Sequence, residues 1–204
     1  RAAIKRVSEK IGEDPEIAEN VRFGLWAFRD SLDITGIEYL TKNFTPELQT
    51  AAEFGKILEQ VSEAKVGSRG FPEDLFSGMD KALTETAWTE NSLRFIVLIG
   101  DAPSHVKGEK WNASEKGAEE LRQFANDGRI SVIAVHIKDP RAEEYFELTE
   151  EQYSKLAENR GVSTTEGSSY LAVAAKNEQA FEALSDSMIA TFQGTLEMAR
   201  KKGD

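Results

Sequence analysis

No cysteine occurs in the 204 residues, which excludes disulfide scaffolds, thiolate zinc centres and cysteine nucleophiles at once. Positive charge is scarce as well. With 25 Lys and Arg against 36 Asp and Glu, the formal net charge is −11, so the surface repels a phosphate backbone or an anionic leaflet, and general nucleic-acid binding is disfavoured. Long hydrophobic runs are missing: the most apolar stretch, residues 95–99, is far shorter than the about 20 residues of a bilayer-spanning helix. Neither Gly-x-Gly-x-x-Gly nor Gly-x4-Gly-Lys-Ser/Thr is present, which removes the phosphate-cradling loops of dinucleotide enzymes and P-loop NTPases. Arg1 leads straight into an amphipathic pattern, with no initiator Met and no signal core, as expected of a piece of a longer protein. The lack of cysteine is compatible with the periplasm and equally with the cytosol.

What is present reads as one soluble globular domain over residues 1–204, with 40% hydrophobic and 30% charged residues. Ile4, Val7 and Ile11 mark a helical face that stops near Gly12 and Pro15. Residues 21–28 form a strand-like run, apolar on both faces, and the more polar 36–41 follows as its hairpin partner at a sheet edge. Leu48, Ala51, Leu58 and Val61 predict a helix. Pro72 suits a first helical turn, with Leu75, Phe76, Met79, Ala82 and Leu83 at helical spacing behind it. Residues 94–100 read as a central strand covered on both faces, followed by a helix marked by Leu121 and Phe124 that closes at Gly128. Residues 130–137 supply another buried strand. Thr149 and Gln152 have capping-box spacing ahead of a short helix that ends at Gly161, then 169–173 a last strand and Phe181 to Leu196 the closing helix. Strands alternating with helices of this length predict a doubly wound α/β fold with a mostly parallel sheet and one antiparallel edge strand.

Ligands of such sheets gather beyond the carboxyl ends of the parallel strands. Asp101 stands there, directly after 94–100, in Gly100-Asp-Ala-Pro-Ser-His105; turn capping is the competing role for it. Glu73 and Asp74 fall in the first helical turn behind Pro72, where the helix dipole by itself favours acids.

Several fragments together resemble a von Willebrand factor A domain: Arg22-Phe-Gly-Leu-Trp-Ala-Phe-Arg-Asp30, Gly70-Phe-Pro-Glu-Asp74 with Gly78 and Ala82-Leu83, Trp88, and Ile96-Val-Leu-Ile-Gly-Asp-Ala-Pro-Ser-His105. The likeness is greatest to bacterial, kinase-linked members, those at the carboxyl terminus of PpkA-type Ser/Thr kinases of type VI secretion. It implies a regulatory protein-interaction module, in the periplasm, with kinase activity in another part of the parent. It further implies a metal-ion-dependent adhesion site for Mg2+ or Mn2+, with Asp101 as the ligand after the fourth strand, Glu73 at the middle position and Asp74 as its fallback. The family's Asp-x-Ser-x-Ser motif after the first strand is absent. That strand belongs between those at 21–28 and 94–100, so the resemblance implies a central vacancy, filled by another chain or an upstream or rearranged segment, and weak or no metal binding by these residues alone.

Other signals are weaker. His105 and Ser104 suggest a ligand, base or triad, but adjacency in sequence is poor support for a triad, and loop packing is the expectation. His136, in an apolar strand, reads as a hydrogen-bonded core residue. Trp26 and Trp88 are expected to pack, and Trp111, among Lys and Glu, is the preferred interface residue. Asn43 and Asn112 begin glycosylation tripeptides of a kind that arises readily by chance. The acidic run 143–151 reads as a solvated face, and 200–202 as complement to a helix dipole. The rival to an interaction module is a receiver-like phosphoryl-transfer domain, in which Asp101 accepts a phosphoryl group with Mg2+ and Lys138 stabilises charge.

Overall fold

The computed structural model describes residues 2–30, 35–68, 70–160, 167–175 and 177–203. The chain divides into two compact units, one of Arg1–Leu25, Phe44–Glu63 and Lys176–Asp204, the other of Trp26–Asn43 and Ala64–Ala175.

The first unit is helical, with α1 (Ala2–Glu13), α2 (Pro15–Asn20), α3 (Ala51–Gln60) and α7 (Glu178–Gly203). Thr50 caps α3 through a reciprocal exchange with Glu53, so the helix starts where two otherwise orphaned backbone donors are satisfied. Phe54 and Leu58 are its buried stripe, and Phe54 stacks on Phe23 at 5.2 Å between ring centroids. Val7 and Ile11 of α1 are buried, and α1 packs on α3 and α7.

The second unit holds the sheets. Strands β3 (Arg94–Gly100), β4 (Ile130–Lys138) and β7 (Tyr170–Ala174) form a parallel three-stranded sheet in the order β3-β4-β7, with Gly100 opposite His136 and His136 opposite Ala172. Short strands β1 (Trp26–Phe28) and β2 (Thr41–Asn43) make a separate antiparallel pair, as do β5 (Glu158–Asn159) and β6 (Gly167–Ser168). Helices α4 (Leu75–Glu85), α5 (Ala118–Asp127) and α6 (Phe146–Leu156) complete the unit, the last entered from a 3-10 turn at Pro140–Tyr145. Leu98, Ile130, Val132 and Ala134 meet Leu75, Phe76, Leu121, Tyr153 and Leu156 in one core. Both faces of β4 are buried, as a run of apolar residues in a parallel strand requires. The α/β class with a mostly parallel sheet is therefore as expected.

Several boundaries differ from the sequence reading. Only 26–28 of the run 21–28 is strand, because the preceding backbone is used elsewhere: Phe23 bridges Gln49, and the Leu25 amide donates to Thr45 Oγ1 at 2.7 Å. The partner strand lies at Thr41–Asn43 rather than 36–41. Phe124 is 49% exposed, since the buried stripe of α5 is Leu121, Arg122 and Ala125. Thr149 and Gln152 lie inside α6 and do not cap it, because the 3-10 turn runs directly into the helix. The expected end at Gly161 lies outside the described residues. Strand β3 is an edge strand among the described residues and not a central one: no hydrogen bonds link it to β1, and only Leu98 of its seven residues is buried.

Two helical glycines make a paired test of packing. A Cβ on Gly78 would lie 2.6 Å from Phe28 Cβ, whereas one on Gly55 meets nothing within 4 Å. Overpacking costs about 1–3 kcal/mol and Ala recovers up to about 1 kcal/mol of helix propensity. Gly78→Ala is expected to lower the urea midpoint and Gly55→Ala to raise it; equal shifts would show that Phe28 moves aside without cost.

Candidate functional site

The carboxyl ends of β1 and β3 converge on the entry to α4. Past β1, Arg29 accepts at its carbonyl from the Asp74 amide at 3.1 Å, and past β3, Pro103 accepts from the Glu73 amide at 2.9 Å. The His105 amide returns a bond to the Glu73 carbonyl at 3.2 Å, so Glu73 and Ser104 form a short parallel bridge. Glu73 and Asp74 thus precede α4 and do not occupy its first turn, which corrects the sequence reading: the chain at Glu73 is held extended against the 103–105 loop before the helix can begin.

The three predicted site residues have different surroundings. Asp74 is fully buried and is the N-cap of α4: its Oδ1 accepts from the Ser77 amide at 3.3 Å, and its Oδ2 accepts from Ser77 Oγ at 2.7 Å and the Ala113 amide at 3.1 Å. Those donors engage both oxygens, a capping role. Glu73 is half-buried. Its Oε1 accepts from Ser68 Oγ at 2.6 Å, while Oε2 is shielded from solvent with no hydrogen-bond partner. Burial pushes its carboxyl up to about 7, with the negative charges of Asp30 and Asp101 adding to the rise while Ser68 and Arg29 oppose it. Asp101 is exposed, immediately after β3. The structure therefore brings Asp101 and Glu73 within electrostatic reach of one another.

The loop that carries Asp101 is fixed from several sides. Gln152 of α6 clamps the Ser104 backbone, accepting from its amide at 2.6 Å and donating to its carbonyl at 2.9 Å. Ser104 Oγ accepts from the Phe76 amide at the start of α4 (3.0 Å). The Tyr153 hydroxyl donates to the Ala102 carbonyl at 3.0 Å, in the space that a Cβ on Gly100 would occupy. Burial pushes the Tyr153 hydroxyl far up, so it stays a neutral donor.

Sequence reasoning missed two members of this edge. Asp30 is 5% exposed and sits 2.8 Å from His105 Nε2, a buried pair that ties the loop after β3 to the end of β1. Inspecting residues just after each strand, the rule that found Asp101, applies equally to Asp30. Arg29 is buried alongside, donating to Glu38 Oε2 at 2.6 Å and to the Val66 carbonyl. The sequence marked Gln152 only as a capping-box residue and gave no sign of its partner, which is 48 residues away.

The weaker candidates also resolve. His105 packs in its loop, with the Trp111 ring 5.8 Å away. His136 is buried with Nδ1 2.9 Å from the Tyr170 hydroxyl, as expected of a core residue, and burial followed by the nearby Lys138 charge lowers its pKa. Trp26 Nε1 donates to Thr86 Oγ1 and Trp88 packs on the core. Trp111 is 39% exposed, with Lys110 Nζ 5.5 Å from its ring centroid. The Asn112 side-chain amide donates to the His105 and Lys116 carbonyls inside the fold, which leaves it unsuited to glycosylation.

For a Mg2+ or Mn2+ ion these residues fit in kind and fall short in number. Carboxylate oxygens suit a hard cation that prefers six ligands, but Asp74 is committed to capping, Glu73 offers Oε2 and Asp101 its carboxylate. Among the described residues no group of three or more His, Cys, Asp or Glu side chains is placed to hold a metal.

No family model matches the chain, and no curated protein does. Solved structures do. Proximal thread matrix protein 1 from the mussel byssus is similar at a TM-score of 0.58 and 11% identity over 92% of this chain, which spans about two fifths (39%) of that protein. The conserved hypothetical protein BatB from Bacteroides thetaiotaomicron is similar at a TM-score of 0.53 and 18% identity, over 93% of this chain and 87% of that one. At such identities the likeness is one of fold alone, and in that coarse sense it supports a von Willebrand factor A-like architecture.

Proposed function

We propose that this chain is a protein-interaction module of von Willebrand factor A type, which engages a partner protein at the carboxyl edge of its sheet around Asp101 and Glu73, and is not itself an enzyme. The observation that carries the reading is Glu73 Oε2, a buried oxygen without a partner, within electrostatic reach of the exposed Asp101 on a loop tied down by α4 and α6. A rigid edge with an unmet oxygen is suited to receive a ligand from outside the site. In the finer reading, the module is the regulatory part of a type VI secretion Ser/Thr kinase, lies in the periplasm, and reports on its partner to a kinase domain elsewhere in the parent. A Mg2+ or Mn2+ ion at the edge would be held by Asp101 and Glu73, would keep most of its waters, and would offer a partner's carboxylate a coordination position.

The phosphoryl-transfer alternative gains no support from Lys138, whose Nζ lies 5.3 Å from the Phe146 ring centroid and 3.8 Å from Glu150. Two measurements test the proposal. Calorimetric titration of Mn2+ is expected to show weak binding, on the order of millimolar, that Asp101→Asn abolishes; no heat in the parent chain withdraws the metal assignment and leaves a metal-independent module. Incubation with acetyl phosphate and Mg2+ is expected to leave the mass unchanged. An acid-stable, base-labile phosphoryl adduct on Asp101 would overturn the module in favour of the enzyme.

A further inference from the structure

His136 stands on β4 opposite Gly100, the last residue of β3. Its side chain is wholly buried in a cage of three rings: Phe146, edge to face at 5.4 Å between centroids, Tyr153 at 5.7 Å and Tyr170 at 6.2 Å. Nδ1 meets the Tyr170 hydroxyl at 2.9 Å, whereas Nε2 is shut off from solvent with no hydrogen-bond partner. The neutral imidazole tolerates this cage, because Nδ1–H can donate to Tyr170 and leave Nε2 as a bare lone pair. An imidazolium brings a second N–H without an acceptor and a charge without solvent, and a closed wall of rings satisfies neither.

The groups that face the ring do not reverse that preference. Burial opposes the proton most and Lys138 on the same strand adds to it, while Glu150 of α6 and Asp101 past β3 favour the proton and are outweighed. Burial also keeps the hydroxyls of Tyr153 on α6 and Tyr170 on β7 un-ionised, so neither supplies a counter-charge.

Two walls of the cage, Phe146 and Tyr153, belong to α6, the helix that holds the Asp101 loop. The Tyr153 hydroxyl donates to the Ala102 carbonyl, and Gln152 bonds both the amide and the carbonyl of Ser104. Tyr153 therefore has its ring on the imidazole and its hydroxyl on the loop. We propose that His136 is an acid-sensitive latch on that loop: neutral, it keeps α6 seated against β4 and β7, and on protonation it releases α6 together with the bonds that fix residues 102–104. The use of such a latch rests on the partner-binding reading of the Asp101 edge, which acid would loosen; the latch itself is a property of the free chain.

Amide exchange on the whole free chain tests it. Once the cage opens, the ring takes a proton at its ordinary 6.5, so each pH unit below that value multiplies the open population by about ten. The protection factor of the Ser104 amide, corrected for the intrinsic pH dependence of exchange, is expected to fall about tenfold from pH 7.5 to 5. Amides 79–85 of α4 are expected to keep theirs. Protonation of Glu73 in this range strengthens the fold, so it has the wrong sign to produce the loss. His136→Gln is expected to abolish the pH dependence, with unchanged α4 protection as the check on its folding. Should that variant not fold, the proton spectrum of the parent chain decides, because only two histidines contribute to it: His136 is expected to titrate below 6.5. A His136 ring titrating at or above 6.5 in the folded chain would overturn the proposal. So would Ser104 protection that ignores pH, a pH dependence that survives in folded His136→Gln, or a loss shared equally by α4. None of these readouts involves a partner or a metal, so failure of the latch and failure of the interaction reading are distinguishable.

Discussion

Asp74→Ala is expected to destabilise the chain by about 3 kcal/mol and to lower its melting temperature by about 10 °C. The N-cap bond to the Ser77 amide contributes about 1 kcal/mol. The remainder comes from the Ser77 hydroxyl and the Ala113 amide, which bond the other carboxylate oxygen at 2.7 and 3.1 Å in a fully buried setting. Each buried donor left without an acceptor costs about 1–3 kcal/mol. Asp74→Asn keeps one acceptor oxygen and is expected to recover about half of the loss. Thermal unfolding of both variants decides the matter; a change within 0.5 kcal/mol for Asp74→Ala, the size usual for surface substitutions, would show that the carboxylate is not the cap that the geometry describes. The Ala113 bond also tethers the loop carrying Trp111 to the start of α4, so accelerated amide exchange over 106–117 is expected in the same variant.

The second large effect is a pH dependence that Glu73→Gln removes. Burial, with Asp30 and Asp101 adding to it, holds the Glu73 carboxyl at about 7 against an ordinary 4.5. Between those values the folded chain keeps a proton that the unfolded chain releases, so the stabilising contribution is complete below pH 4.5 and is lost as the pH rises through 7. A shift of that size corresponds to at most about 3 kcal/mol; the carboxyl is partly exposed, and solvent screening reduces this to about 1–2 kcal/mol. Glu73→Gln has no proton to lose, and its side-chain oxygen can still accept from Ser68. Urea unfolding of both forms in metal-free buffer, from pH 4 to 8, is expected to show the variant overtaking the parent chain as the pH rises, with the difference constant above about pH 8. Parallel stability curves would mean that Glu73 is ionised throughout and that its lone oxygen is already solvated.

The two acids differ in how far sequence could place them. Position after Pro72 marked both Glu73 and Asp74, and the helix dipole explained why acids sit there. Whether an acid in that position caps the helix or faces a site depends on one residue of offset. The helix begins at Leu75, so Asp74 turns into the cap and Glu73 remains in an extended bridge to Ser104. That offset is set by the 103–105 loop, about 30 residues downstream, and periodicity within 72–83 carries no trace of it. Gln152 is a sharper case. Spacing from Thr149 suggested a capping box, but the side chain that would have capped its own helix clamps the Ser104 backbone.

Local chemistry was sufficient for the α/β class, the buried strand at 130–137, the helix behind Pro72 and the strand-end position of Asp101, because hydrophobic period and turn residues act over a few positions. Tertiary structure alone decided that Asp30 and His105 join the same edge as Asp101, and that the Glu73 carboxyl is half-buried with an oxygen unmet. Each of these depends on which distant backbone amides and carbonyls find partners, a condition on the whole set of strands that no short stretch of residues encodes.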